Sequence, residues 1–129
     1  MSLEEINYLV LFMAPGEKDK SPYLKRSVNS FKEIVKVAEE FKVTCNIEVA
    51  NRYEQFLINT SKEAKNFVNL VNSDRLKIHL DTFHMNIEED SFSEAIKLAD
   101  EDLGHFHVGE NNRKLPGKGH LPWKELIES

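Results

Sequence analysis

The chain has 129 residues, a formal net charge of −5, a single cysteine and an apolar fraction of 40%. That suffices for one domain with a core of its own and is too apolar for a disordered chain. The acidic balance argues against a general nucleic-acid binder, the lone Cys45 excludes an intrachain disulfide and fits a reducing, cytoplasmic setting, and no apolar run approaches the ~20 residues of a membrane span.

The N-terminus shows no basic stretch followed by an apolar one, so no signal peptide is read. Ile6 to Ala14 is a nearly continuous apolar run before Pro15-Gly16, which predicts a strand buried on both faces. Ser21-Pro22 opens a helix, and Leu24, Val28, Phe31, Val35 and Ala38 form its apolar stripe. Val43 to Val49 reads as the second strand. Thr60-Ser61-Lys62-Glu63 is a capping-box pattern, followed by the helical face Ala64, Phe67, Val68 and Val71, which Asn72-Ser73-Asp74 ends. Leu76 to Leu80 is the third strand, and the segment after it reads as a polar loop. Ser91-Phe92-Ser93-Glu94 repeats the capping box before Phe92, Ala95, Ile96 and Ala99. Leu103 to Val108 is the fourth strand. After the loop 111–119, Leu121 to Glu125 starts a further helix. Strands alternating with helices imply parallel pairing and right-handed crossovers, in one domain without a linker.

Residues two apart on a strand share a face. Asn46 and Glu48 therefore point the same way, as do His79 and Asp81, and His105 and His107. The expected arrangement is two polar layers: Glu48, Asp81 and His107 near the strand ends, with Asn46, His79 and His105 one layer below. A purely structural barrel interior favours Val, Ile and Leu at such positions. Polar residues there are costly unless they serve a site or pair with each other. Carboxylates with an imidazole suit a hard or borderline dication such as Mn²⁺, Mg²⁺ or Co²⁺. Each residue also has a plainer reading. An acid at a strand end often only caps a helix, and His105 or His107 alone is more often a satisfied core residue than a ligand. The coincidence on successive strands is what favours a site, at the C-terminal strand ends where parallel α/β folds place theirs.

The motifs EVANRYE (Glu48 to Glu54), LDTFHMNIEE (Leu80 to Glu89), GHFHVGENNR (Gly104 to Arg113) and PGKGHLPW (Pro116 to Trp123) resemble those of the ketose 3-epimerases, the D-tagatose and D-psicose 3-epimerases among the xylose-isomerase-like TIM barrels. The resemblance covers nearly the whole chain from about residue 6, in order. It implies an α/β half TIM barrel, the fourth to seventh strand–helix units of the family's eight. By position it implies Glu48, Asp81 and His107 as metal ligands, with Mn²⁺ first and Mg²⁺ or Co²⁺ next. Glu48 would also be one of two acid/base carboxylates. Glu54, His84 and Arg113 would hold the substrate. The implied chemistry is proton abstraction at carbon three of a ketose sugar, through a cis-enediolate. The first three strands and the eighth are not recognisable in the chain, and the eighth carries the family's second catalytic Glu and fourth metal ligand. A half barrel leaves sheet edges open, so a homodimer or a complementary half-barrel chain is the expected partner. The alternative is a non-catalytic remnant that binds metal or sugar without turnover. Neither nucleic acid nor membrane is expected as a partner.

Overall fold

The computed structural model describes residues 19–129. The expected strand at 6–14 lies outside them. Helix α1 (Ser21–Glu40) leads to strand β1 (Cys45–Glu48), then α2 (Ser61–Val71), β2 (Leu76–Asp81), α3 (Thr82–Glu88), α4 (Phe92–Ala99), a 3₁₀ turn at Asp100–Asp102, β3 (Leu103–His107) and α5 (Trp123–Glu128). The three strands form a parallel sheet in the order β1-β2-β3.

Local chemistry sets the boundaries. Thr60 caps α2 in a full capping box, its hydroxyl accepting from the Glu63 N–H while the Glu63 carboxylate accepts from the Thr60 N–H. Asn72 ends α2 in the left-handed conformation, at φ 57°. Ser91 caps α4 by accepting from the Glu94 N–H. Strand β1 is shorter than the predicted Val43 to Val49, because Lys42 turns the chain at φ 54° and Val43 is exposed.

The segment expected as a polar loop after β2 is instead helix α3, which starts with no intervening loop. Asp81 is its N-cap, accepting from the Phe83 N–H at 2.8 Å. The plainer reading of this acid is thus part of its role. The junction is tied to the end of β3 by Thr82, whose hydroxyl donates to the Gly109 carbonyl and accepts from the Gly109 N–H.

The two sheet faces differ. Leu76, Ile78 and Leu80 of β2 are fully buried and pack with Phe67, Val68 and Val71 of α2, Val28 and Val35 of α1, and Ala95 and Ala99 of α4. Burying each large side chain is worth roughly 1.5–3 kcal/mol, so the helical layer holds the sheet. The opposite face carries Asn46, Glu48, Lys77, His79, Asp81, His105 and His107, and Glu48, His105 and His107 are exposed on it. Gly104 sits at an irregularity in the β2–β3 register. A Cβ there would run into Lys77 Cβ and Asn46 Oδ1, so only glycine lets β3 lie this close. Among the described residues no helix is long and apolar enough to cross a membrane.

Candidate active site

The three strand ends carry the expected residues, but β1 is staggered. In register, Glu48 lies beside His79, and Asp81 beside His107. The expected layer of Glu48, Asp81 and His107 is therefore not a layer of the backbone. Barrel sheets shear in this way, and the longer Glu side chain spans the offset. One ligand atom each from Glu48, Asp81 and His84 lie within 4.8 Å of one another, and so do those of His79, His105 and His107. Asp81 Oδ2 is also 3.6 Å from His107 Nδ1. Asp81 thus joins the two groups, and His107 belongs as closely to the imidazoles as to the carboxylates.

His84 comes from α3 and is buried. Its Nδ1 faces the backbone N–H of Asn51 at 3.2 Å and the Asn51 side-chain Nδ2 at 2.8 Å. A backbone N–H can only donate, so Nδ1 carries the lone pair and, in the neutral ring, Nε2 carries the hydrogen. That Nε2 lies 3.9 Å from Glu48 Oε1 and 4.0 Å from Glu54 Oε2. In this tautomer His84 offers a donor and no lone pair to the site, so it suits an incoming oxygen better than a metal ion.

Glu54 and Arg113 meet beside it. Arg113 Nη2 donates to Glu54 Oε1 at 2.6 Å, and the guanidinium lies 3.9 Å from the centre of the Phe83 ring. Arg113 sits at φ 60° in the loop after β3. All the expected sugar-binding residues therefore cluster at one end of the sheet. Asp81, Phe83, His105, His107 and Arg113 line a cleft of about 450 Å³ there.

Three residues matter more than their sequence suggests. Asn51, 1% exposed, donates to His84 and to Glu54 Oε1 and accepts from the Tyr53 N–H, so it orients both site residues. His79 is buried with no hydrogen-bond partner for Nε2, and burial, then the neighbouring His107 and His105, pull its pKa down to about 4. Glu110, fully buried, ties the loop after β3 to α5. Burial pushes its carboxyl up, but the Trp123 indole N–H and the Leu121 and Gly117 backbone N–H groups outweigh that and hold it at about 2. Asn51 and Glu110 lie inside recognised motifs, yet nothing in their local spacing marks a polar residue as buried.

Parallel strands with helices on one face and a polar site at their C-terminal ends define a segment of a β/α barrel. The chain belongs to the xylose isomerase-like TIM barrel family, whose sequence profile matches residues 3–129. It is 51% identical over 111 residues to a D-psicose 3-epimerase of Ruminiclostridium cellulolyticum, a match covering 86% of this chain and 38% of that protein. A D-psicose 3-epimerase of Enterocloster bolteae is 50% identical over 108 residues, 84% of this chain and 36% of the relative. The crystal structure of a D-psicose 3-epimerase from Clostridium cellulolyticum H10 with D-tagatose superimposes with a TM-score of 0.85 at 49% identity, over 91% of this chain and 40% of that one. The chain thus spans under half the length of these relatives.

Proposed function

We propose that this chain supplies one side of a divalent-metal-dependent ketose 3-epimerase site. The observation that carries the reading is the convergence of Glu48 and Asp81, at the ends of β1 and β2, with His84 of α3 within 4.8 Å, and the Arg113–Glu54 pair beside them.

The donor set fits a hard or borderline dication. Asp81 commits Oδ1 to the α3 cap and leaves Oδ2 free, 3.6 Å from His107 Nδ1. Two neighbouring ligands of a six-coordinate ion sit about 3 Å apart, so a small rotation suffices. Glu48, Asp81 and His107 would hold the ion, Mn²⁺ first and Mg²⁺ or Co²⁺ next. When bound, it would supply Lewis-acid stabilisation of negative charge on the sugar's oxygens.

The remaining chemistry belongs to the side chains. Glu48 takes the proton from carbon three, which the adjacent carbonyl acidifies. His84 donates through Nε2–H to a sugar oxygen, where charge gathers as the enediolate forms. Glu54 and Arg113 accept from and donate to hydroxyls. Stereoinversion is completed by a carboxylate on the opposite face of the sugar. That carboxylate would come from barrel strands beyond the described residues, on further chain or on a complementary half-barrel chain; a homodimer would close the sheet edges without obviously restoring it. The substrate class is a ketose, the compartment the cytoplasm.

A second reading is a non-catalytic binder of metal or sugar, favoured by the exposure of Glu48, His105 and His107 on the open sheet face. Calorimetric titration with Mn²⁺, with Glu48→Gln as control, tests the site itself. Saturable binding lost in the variant supports it, and absence of binding in the parent chain refutes it. Turnover of D-psicose, D-fructose or D-tagatose, alone and with the remaining barrel strands added in trans, then separates catalyst from binder.

A further inference from the structure

Of the imidazoles of His79, His105 and His107, the first two lie outside the roles assigned so far, while His107 is also the proposed ligand that faces Asp81. Their rings pack edge to face, with centroids 4.1–4.8 Å apart. One nitrogen from each lies within 4.8 Å of the others. His79 is 8% exposed, and its buried Nε2 has no partner. An unpaired buried polar atom is costly, and a native structure keeps one for a reason. His105 and His107 are exposed and line the cleft, so solvent can reach them.

We propose that His79, His105 and His107 form a second metal site, all-imidazole, which takes a borderline d-block dication such as Zn²⁺, Ni²⁺ or Co²⁺ and competes with the carboxylate set for His107. Three imidazoles with an open fourth position towards solvent suit such ions and suit Mn²⁺ or Mg²⁺ poorly. At the Zn–N distance of about 2.0–2.1 Å, tetrahedral ligands sit roughly 3.4 Å apart. The trio must therefore close inward, with His79 fixed and the two exposed rings swinging towards it. Competition follows from the ring itself. A neutral imidazole has one lone-pair nitrogen, so His107 can serve Asp81 and Glu48 or His79 and His105, but not both at once. Filling the imidazole site would strip the carboxylate site of its nitrogen ligand.

The test uses the full chain and metals alone, and its readouts are direct. Ni²⁺ binding is followed by calorimetry and Mn²⁺ binding by its electron paramagnetic resonance signal, in the parent chain, His79→Leu and His105→Ala. His79→Leu replaces an unpaired buried ring by an apolar side chain. His105→Ala alters an exposed position and guards against a folding defect at 79. Both variants should bind Ni²⁺ at least tenfold more weakly and keep Mn²⁺ affinity within twofold. Zn²⁺ should displace Mn²⁺ from the parent chain and need at least tenfold more metal to do so in either variant. Unchanged Ni²⁺ affinity in His105→Ala, or in a folded His79→Leu, overturns the proposal. The outcome is separable from that of the epimerase reading, which stands or falls with Mn²⁺ binding and its loss in Glu48→Gln.

Discussion

Asn51 is the sharpest lever on the site, because it touches no substrate in the proposed scheme yet sets which nitrogen of His84 carries hydrogen. Asn51→Ala removes three side-chain bonds: to His84 Nδ1 at 2.8 Å, to Glu54 Oε1 at 3.1 Å and from the Tyr53 N–H at 2.9 Å. At about 1 kcal/mol for each bond, with no charge premium for the half-exposed Glu54, the loss is ~3 kcal/mol. With an m-value of about 2 kcal/mol/M that lowers the urea midpoint by roughly 1.5 M. The backbone N–H of Asn51 still faces Nδ1, so the tautomer should persist. Asn51→Asp has the opposite character. It keeps the shape, but turns the 2.8 Å donor into an acceptor aimed at a lone pair. Only a proton on Nδ1 makes that contact attractive, yet the backbone N–H still points a donor at Nδ1 from 3.2 Å, so the variant sets the two in conflict and should destabilise the His84 ring more than Asn51→Ala does. Two-dimensional ¹⁵N spectra of the imidazoles read the tautomer directly. A parent chain with hydrogen on Nδ1 would refute the assignment of His84 as the sugar-oxygen donor.

Glu110 gives the acid limb of stability. Its folded pKa of about 2 lies below the ordinary 4.5, so its contribution is complete above about pH 4.5 and is lost as pH falls from there towards 2. The single tryptophan bonds to it, so Trp123 fluorescence should report release of the loop well below pH 4.5 in the parent chain and already at neutral pH in Glu110→Gln; a parent midpoint at 4.5 would show that the carboxylate is not held as described. Gly104→Ala should cost ~1–3 kcal/mol in chemical denaturation, since the new methyl must displace Lys77 or Asn46 between adjoining strands, and an unchanged midpoint would show that β3 shifts freely.

The helices and strands were legible where one periodic pattern met one boundary signal. Thr60 with Glu63, and Ser91 with Glu94, mark helix starts that the structure places as expected. The alternation in Leu76 to Asp81 separates a buried apolar face from the site face. Helix α3 is not legible in the sequence because a residue can be both ligand and cap. Asp81 ends a strand pattern, and the Phe83–Ile87 spacing that signals a turn of helix sits among polar residues. The register was missed for a different reason. Pairing of β1 with β2 depends on barrel shear, which no single strand encodes, so Glu48 was expected beside Asp81 rather than beside His79.

That offset explains the choice of acid on each strand. Asp81 sits at the end of the central strand with one oxygen spent on the α3 N-terminus, where a short side chain holds the other in place. On β1 the backbone stops a layer lower, and only the longer glutamate brings its carboxylate level with Asp81 and His84. A short acid anchored through one oxygen makes a good fixed ligand through the other. A longer, half-exposed one can both reach an ion and swing to a carbon-bound proton. The two carboxylates are therefore unequal by construction of the sheet, and the proposed division of labour, with Asp81 holding and Glu48 moving a proton, follows from where each strand ends.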